Sequence, residues 1–167
     1  TDVEEGVAMT DSRWVRLVGP VAWRAINLAG RLTRGMTLGV RAVVFDEEGR
    51  VFLVRHGYVP GYHLPGGAVD RGESAEAAIV RELGEEGNLA LAERPVLAGF
   101  YFQRRLKVDH VALYVVRGAR QTAPIEPNRE IREAGFFIPD ALPEGTTAAT
   151  RRRIAEIAQG LPPDAEW

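Results

Sequence analysis

The stretch GAVDRGESAEAAIVRELGEEGNL, residues 67–89, decides how the rest of the chain is interpreted. It continues the glycine turn Leu64–Gly67, and its pattern predicts one helix that begins near Ser74 and ends near Asn88. A serine side chain can accept a hydrogen bond from the free N–H groups that start a helix, and asparagine tolerates the left-handed conformation that ends one. The stretch therefore predicts a glycine turn followed directly by a capped helix.

Three carboxylates are concentrated on this predicted helix, at Glu82, Glu85 and Glu86. At about 100° of rotation per residue, they lie within roughly a third of the helix circumference. Like charges at this spacing repel one another, and Arg81 can offset only part of the cost through its pairing with Glu85. A solvated acidic face is the plainer interpretation. A hard divalent cation such as Mg²⁺ or Mn²⁺, which takes oxygen ligands, would instead turn the repulsion into a binding site.

The whole segment resembles the signature sequence of the Nudix superfamily. That signature is a glycine, five residues, a glutamate, seven residues, then Arg-Glu-aliphatic-any-Glu-Glu-any-Gly-aliphatic. The matching positions of this chain are Gly67, Glu73, Arg81, Glu82, Leu83, Glu85, Glu86 and Leu89. Asn88 stands where the signature has its second glycine, and we expect the helix end to survive because asparagine tolerates a positive φ angle.

The resemblance implies an α/β fold, namely a Nudix-type α/β/α sandwich with a mixed β-sheet. It also implies metal-dependent hydrolysis of a diphosphate linkage, in a nucleoside diphosphate joined to another moiety or in a related nucleotide. Carried over by position, Glu82, Glu85 and Glu86 would hold Mg²⁺ or Mn²⁺. Arg81 and Glu73 would form the ion pair that ties the glycine loop to the helix. A bound cation suits this chemistry because it neutralises the pyrophosphate, orients the attacking water and lowers the pKa of that water.

Two glycines and one arginine are the candidates for contact with the phosphates. Gly66 and Gly67 have no Cβ, so the backbone can approach an anionic group closely. Gly67 is also a structural position of the signature. Arg55 follows a predicted strand and could bind a phosphate through its planar guanidinium group. We therefore expect Arg55, Gly66 and Gly67 to form the substrate-binding side of the site.

The general base has two sources in the sequence. It is either one of the helix glutamates or a glutamate of the later loop, where Glu126, Glu130 and Glu133 are available. Within that loop Glu130 is preferred, because similar glutamates precede a strand in related chains. A base must lie within hydrogen-bond reach of the attacking water, so the choice depends on geometry.

Strand patterns surround the predicted helix. Leu38–Phe45 and Val51–Arg55 are rich in β-branched residues and are separated by a turn, which favours a hairpin. Further strands are expected at residues 96–104, 108–117 and 134–138. A last helix, capped by Thr146 or Thr147, is expected to run to Gln159. Its arginine run, residues 151–153, is interpreted as a solvated face, and His63 as a strand residue with a packing role.

The chain is predicted to consist of four regions. Residues 1–11 form a flexible N-terminus, 12–35 an amphipathic helical extension, 36–161 the Nudix hydrolase domain and 162–167 a C-terminal tail. The extension carries tryptophans, and several arginines and the pair Gly19-Pro20 interrupt its apolar stretch, so it is a poor transmembrane helix. We interpret it as a helix that packs on its own domain or across a homodimer. Contact with a membrane surface is the second interpretation, because basic amphipathic helices with tryptophan lie in the interfacial layer.

Composition limits the classes of partner. The formal net charge is −2, which gives no electrostatic case for binding a nucleic-acid polymer, and the substrate is expected to be a nucleotide-type small molecule. The chain has no cysteine, so disulfides and thiolate metal sites are excluded, and a cytoplasmic location is expected. Two alternatives to a hydrolase stay open: a non-catalytic Nudix-like domain that senses a nucleotide, and a peripheral membrane or dimer-assembly protein led by the N-terminal helix.

Overall fold

A computed structural model of the chain describes residues 36–104 and 109–167. The predicted flexible N-terminus 1–11 and the amphipathic extension 12–35 lie outside the described residues. Among the helices that are described, none has the length and apolar character needed to cross a bilayer.

The described residues form strands and helices close to the predicted positions. The strands are β1 (Thr37–Val44), β2 (Val51–His56), β3 (Tyr62–His63), β4 (Leu89–Ala90), β5 (Val96–Gln103), β6 (Asp109–Val116), β7 (Arg120–Gln121) and β8 (Ile131–Phe137). The helices are α1 (Ala75–Gly87), a short 3₁₀ helix (Pro139–Ala141) and α2 (Ala148–Gln159). Every long strand and both α-helices were predicted, whereas the two-residue strands β4 and β7 were not.

The strands are arranged in two three-stranded sheets and one two-stranded ribbon. The first sheet has the order β1-β6-β5 and is mixed, because β1 runs parallel to β6 and β5 antiparallel to it. The second has the order β3-β2-β8 and is antiparallel. Strand β4 pairs with β7.

The predicted hairpin between β1 and β2 is wrong. The two strands belong to different sheets, and in the described structure they share an isolated bridge between Phe45 and Val51. Each strand finds a longer partner elsewhere: β1 pairs along its whole length with β6, and β2 pairs with β8. A short turn between two strands favours a hairpin only when no such longer ladder competes.

Side chains on both faces of β1 and β2 are buried, as expected for strands that lie between two helical layers. On one face Val40, Val54 and the helix α1 residues Ile79 and Leu83 belong to one core cluster. On the other face the cluster consists of residues such as Val43, Leu53, Leu113 and Ile154, the last from α2. This two-sided core is the α/β/α sandwich that was predicted. Burying a side chain such as Ile79 or Leu83 stabilises the fold by roughly 1.5–3 kcal/mol.

Helix α1 begins and ends where the sequence predicted. The Ser74 hydroxyl accepts a hydrogen bond from the Ala77 N–H at 3.1 Å. Asn88 adopts the left-handed conformation, with φ 50° and ψ 41°, and its N–H donates to the Gly84 carbonyl. A cap such as Ser74 contributes about 1 kcal/mol. Asparagine therefore replaces the second glycine of the signature without loss of the helix end.

Helix α2 is capped by Thr147, one of the two residues expected, but one of its arginines is not solvated. Arg151 and Arg152 are exposed, as predicted, whereas the Arg153 side chain is 0% exposed. Its guanidinium lies 4.3 Å from the centre of the Tyr101 ring and 2.6 Å from a Glu156 carboxylate oxygen. The interpretation of the whole run as a solvated face is therefore wrong for Arg153.

The C-terminal tail docks along strand β5. The Phe102 N–H donates to the Ala165 carbonyl at 2.9 Å, and the Trp167 N–H donates to the Phe102 carbonyl at 3.1 Å. The Trp167 ring lies 5.6 Å from the Arg153 guanidinium, and Arg153 Nη1 donates to the Glu166 carbonyl at 3.1 Å. The tail thus helps to bury the Arg153 guanidinium of α2.

Candidate active site

The glycine turn Leu64–Gly67 brings backbone against β1 and against α1. The Val40 N–H donates to the Gly67 carbonyl at 2.8 Å. Gly66 has φ +134°, and a Cβ there would lie 2.2 Å from the Val40 carbonyl oxygen. A Cβ on Gly67 would lie 2.3 Å from a Glu82 carboxylate oxygen. Gly66 is thus required for the path of the backbone, and Gly67 makes room for a carboxylate of α1.

Arg81 connects this turn to the acidic face of α1. Its guanidinium donates two hydrogen bonds to Glu73, at 3.0 and 3.1 Å, and one to the Ala68 carbonyl at 3.1 Å. Nη1 also contacts Glu82 at 2.8 Å and Glu85 at 3.3 Å. Hydrogen bonds to Glu73 and then Glu82 raise the pKa of Arg81, and its hydrogen bond lowers the pKa of Glu73. The structure therefore forms the predicted contacts of Arg81 with Glu73 and Glu85 and adds a contact with Glu82.

Glu86 is the buried carboxylate of the site, with 6% of the residue exposed. Its Oε2 accepts a hydrogen bond from the Gly66 N–H at 2.7 Å. Burial is the main reason that the pKa of Glu86 is raised to about 7; the Glu82 and Glu130 charges act in the same direction, and the Gly66 hydrogen bond and the Arg41 charge oppose it. Arg41 and Gly66 therefore compensate the buried anion only in part, and a cation would supply the missing positive charge.

The three helix glutamates are placed differently around the turn. Glu86 is buried, Glu82 contacts Arg81 and is largely buried, and the side chain of Glu85 is 62% exposed and contacts Arg81. Among the described residues, no group of three acidic or histidine side chains is close enough to form a preformed metal-binding site. Their oxygen donors nevertheless fit a hard divalent cation, which needs only one or two carboxylates when waters and substrate phosphates complete its ligands.

The loop glutamate Glu130 is held by its backbone against Gly57, the residue that follows His56. Its charge contributes to raising the pKa values of Glu86 and Tyr58. Its backbone is fixed on both sides: its N–H donates to Asn128 Oδ1 at 2.8 Å, and its carbonyl accepts from the Gly57 N–H at 2.8 Å. The structure thus brings this predicted residue towards the buried glutamate of α1.

Arg55, in contrast, is engaged on the other side of β2. Its guanidinium contacts Glu133 at 3.1 Å and lies 5.8 Å from the centre of the Tyr62 ring. Its neighbour Val54 packs in the α1 cluster, and successive side chains of a strand point to opposite faces. The structure therefore does not bring Arg55 together with the α1 glutamates.

The sequence reasoning missed Arg41, which supplies positive charge at the turn. Its Nη1 donates to the Leu64 carbonyl at 3.2 Å and also to the Gly66 carbonyl. Its charge lowers the pKa of both Glu86 and His56. Arg41 lies in the middle of a buried strand, where an arginine is rare unless it is paired. That anomaly in the pattern of β1 was the available signal.

Two histidines lie beside the site. His56 ends β2, and its Nε2 is 3.5 Å from Glu86 Oε1. Burial, with smaller contributions from the Arg41 and His63 charges, lowers the pKa of His56 to about 4, which favours the neutral imidazole at pH 7. The His63 ring is 6.0 Å from the His56 ring, and its Nε2 lies 3.0 Å from the Pro60 carbonyl.

Known proteins resemble this chain across most of the region that the structure describes. The model of the family described as "NUDIX domain" matches residues 35–157. The chain is 50% identical over 127 residues to the "Putative 8-oxo-dGTP diphosphatase" of Bacillus subtilis, covering 74% of this chain and 81% of that protein.

Two further matches are more distant. An "RNA pyrophosphohydrolase" of Gluconobacter oxydans is 38% identical over 61 residues, which is 33% of this chain and 36% of that protein. Among solved structures, the MutT NUDIX hydrolase from Burkholderia pseudomallei has a TM-score of 0.61 and 28% identity, covering 72% of this chain and 97% of that one.

Proposed function

The chain belongs to the Nudix family and is a Nudix pyrophosphohydrolase, and on that premise we propose its substrate class and the residues that act on it. The substrate is a nucleoside diphosphate joined to another moiety, or a related nucleotide. Among such nucleotides 8-oxo-dGTP is the first candidate, because the Bacillus subtilis relative carries that name at 50% identity. The observation that carries the proposal is the buried Glu86 carboxylate, hydrogen-bonded at 2.7 Å to the Gly66 N–H of the glycine turn.

The carboxylates of α1 are the ligands in this proposal. Nudix hydrolases generally use divalent metal ions, and Glu82, Glu85 and Glu86 would hold Mg²⁺ or Mn²⁺ in this chain. The bound cation would neutralise phosphate charge and lower the pKa of the attacking water. Arg81 keeps these carboxylates close together before the ion arrives, because its guanidinium contacts both Glu82 and Glu85.

Water is the nucleophile, and Glu130 or a helix glutamate takes its proton. The water oxygen forms a bond to one phosphorus of the diphosphate, the bridging P–O bond breaks, and the released phosphate carries away the bonding electrons. Glu130 is our choice of base because its backbone is held by Asn128 and Gly57 and its charge acts on Glu86. Glu85 and Glu86 are the alternatives on the helix.

Backbone and arginine contacts complete the proposed site. Gly66 and Gly67 let the backbone approach the phosphates, and Arg41 holds the turn through the Leu64 and Gly66 carbonyls. Arg55 can contribute to phosphate binding only by leaving Glu133. Both side chains of that pair are nearly half exposed, and such pairs stabilise a protein by only about 0–1 kcal/mol. Release of Arg55 by an anionic substrate is therefore inexpensive.

The test is hydrolysis of a substrate panel with Mg²⁺ or Mn²⁺. The panel contains 8-oxo-dGTP, ordinary nucleoside triphosphates, nucleoside diphosphate sugars, dinucleotides, alcohol-linked CDP compounds and RNA with a 5′-triphosphate. Glu85→Gln, Glu86→Gln and Glu130→Gln test the assigned residues, and Glu93→Gln serves as the control because Glu93 is exposed. Metal-dependent turnover of one class, lost in the site variants and kept in the control, is expected. Tight nucleotide binding without turnover of any member would favour the sensing domain instead.

A further inference from the structure

His56 is the most unusual polar residue near the site. Its side chain is 3% exposed, and neither ring nitrogen has a hydrogen-bond partner among the described residues. Leaving a buried polar group without a partner costs free energy, so native structures rarely contain one. The ring nitrogen Nε2 faces Glu86, whose Oε1 is 3.5 Å away. A buried ring nitrogen without a hydrogen-bond partner thus lies 3.5 Å from a carboxylate oxygen of another buried side chain.

The two oxygens of Glu86 have different surroundings. Oε2 already accepts the Gly66 N–H at 2.7 Å, which ties that oxygen to the glycine turn. Oε1 has His56 Nε2 as its neighbour at 3.5 Å. A small approach of the imidazole would complete a hydrogen bond to Oε1, and contacts of this kind often shorten only when a site is loaded. The carboxylate would then be restrained at both oxygens when the ion is bound.

We propose that His56 is a positioning residue, whose Nε2–H orients the Glu86 carboxylate for binding of a divalent cation. This inference rests on the proposed function, because it takes Glu86 as a ligand of the ion. His56 itself contacts neither the ion nor the substrate. Groups that orient a metal ligand from behind typically change metal affinity or activity ten- to hundredfold when they are removed.

A packing role is the competing explanation. The His56 ring lies 5.1 Å from the Tyr58 ring, so an apolar side chain of similar size would preserve that contact. The two roles separate by chemistry, because packing needs only volume whereas positioning needs a donor at one particular place. Glutamine presents its amide N–H₂ near the location of Nε2, and the shorter asparagine presents it near Nδ1.

The experiment measures Mn²⁺ affinity by calorimetry, without nucleotide, in His56→Leu, His56→Phe, His56→Gln and His56→Asn. Leucine, phenylalanine and asparagine are expected to weaken binding ten- to hundredfold, and glutamine is expected to restore it to within a few-fold of the wild type. The kcat for hydrolysis is expected to fall in the same variants that bind Mn²⁺ weakly and to recover in His56→Gln, with KM for the nucleotide unchanged. Wild-type Mn²⁺ affinity in His56→Leu and His56→Phe would overturn the proposal.

A second pair of proteins separates this inference from the proposed function. Glu86→Gln alone should weaken Mn²⁺ binding, and adding His56→Leu to it should cause little further loss, because the group that His56 positions is already gone. An equal loss from His56→Leu in both backgrounds would mean that the histidine acts through general packing. Unchanged Mn²⁺ affinity in Glu86→Gln would refute Glu86 as a ligand and with it the proposed site.

Discussion

The two α-helices are built alike and carry charge in opposite ways. Each begins at a hydroxyl cap, Ser74 or Thr147, and each ends at a residue in the left-handed conformation. They pack in separate core clusters, one for each face of the sheets. In α1 the buried charge is a carboxylate that repels its neighbours, whereas in α2 the buried charge is Arg153, which is surrounded by partners.

The comparison suggests different roles for the two buried charges: Glu86 is available to bind a ligand, whereas Arg153 stabilises the fold. Around Arg153 the compensation is internal, because Glu156, the Tyr101 and Trp167 rings and the Glu166 carbonyl all contact the guanidinium. Around Glu86 the Gly66 N–H and the Arg41 charge offset part of the cost, but burial together with the Glu82 and Glu130 charges outweighs them. A helix that leaves such a charge uncompensated loses stability, and an incoming cation recovers it.

Breaking the compensation in α2 should have the largest effect on stability. Arg153→Met keeps much of the apolar stem but leaves Glu156 without its buried partner. Loss of one member of a buried pair costs about 3–5 kcal/mol, so the free energy of unfolding in urea should fall by that amount. The rate of hydrolysis per folded molecule should not change.

The double variant Arg153→Met/Glu156→Gln is the matched control. It removes both charges, and replacing a whole buried pair is often close to neutral. It should therefore be more stable than Arg153→Met alone. If the double variant were less stable than the single one, the ion pair would not be the reason for the loss.

The two glycines of the turn extend the comparison, because Gly66 is needed for the backbone path and Gly67 makes room for the Glu82 carboxylate. Gly66→Ala places a Cβ 2.2 Å from a backbone oxygen at φ +134°, and we expect it to lower the free energy of unfolding by about 1–3 kcal/mol. Gly67→Ala meets the end of the Glu82 side chain, which can move. It should cost less stability than Gly66→Ala and still reduce kcat, because Glu82 is displaced. Equal losses of stability in urea would contradict this division.

The helix caps should show the smallest effect and no difference between the helices. Ser74→Ala and Thr147→Ala each remove an acceptor for a free N–H of the first turn. Each should lower the free energy of unfolding by about 1 kcal/mol. KM and kcat measured on the active nucleotide should stay within a factor of two or so for Thr147→Ala. If only one of the two substitutions lowered the free energy of unfolding, the N-terminal caps of the two helices would not be equivalent.

The two helices also show which features a sequence can predict. The turn, caps and charge spacing of α1 are local, so residues 67–89 were sufficient to place that helix. The contact between Arg81 and Glu73 was predicted from the resemblance of this segment to the Nudix signature. The buried state of Arg153 depends on Tyr101 and Trp167, which are distant in the sequence, and a run of three arginines normally indicates solvent.

The same distinction explains the remaining errors. The prediction of a hairpin between β1 and β2 was wrong because each strand has a longer partner elsewhere: β1 pairs with β6, and β2 pairs with β8. The ion pair of Arg55 with Glu133 was not predicted, because it follows from the pairing of β2 with β8, and contact of Arg55 with the phosphates stays a prediction. Arg41 was missed because its partners, the Leu64 and Gly66 carbonyls, are backbone atoms that carry no signal in the sequence.

The central claim is that Glu86 lowers the stability of the metal-free protein and is required for hydrolysis. Burial raises the pKa of its carboxyl group from the ordinary 4.5 to about 7 in the folded protein, so the folded state favours the protonated form. The stability cost is therefore absent below about pH 4.5, grows as the pH rises towards 7 and is fully present above it.

Unfolding of the metal-free wild type and of Glu86→Gln, measured in urea at pH 5 and pH 8, tests this claim most directly. Glu86→Gln should be more stable than the wild type by about 1–3 kcal/mol at pH 8, and this gain should nearly vanish at pH 5. Its metal-dependent hydrolysis should fall at least about a hundredfold, since even the loss of a group behind a metal ligand costs ten- to hundredfold. A Glu86→Gln protein that is less stable than the wild type at pH 8, or that hydrolyses nucleotides at the wild-type rate, would contradict the account.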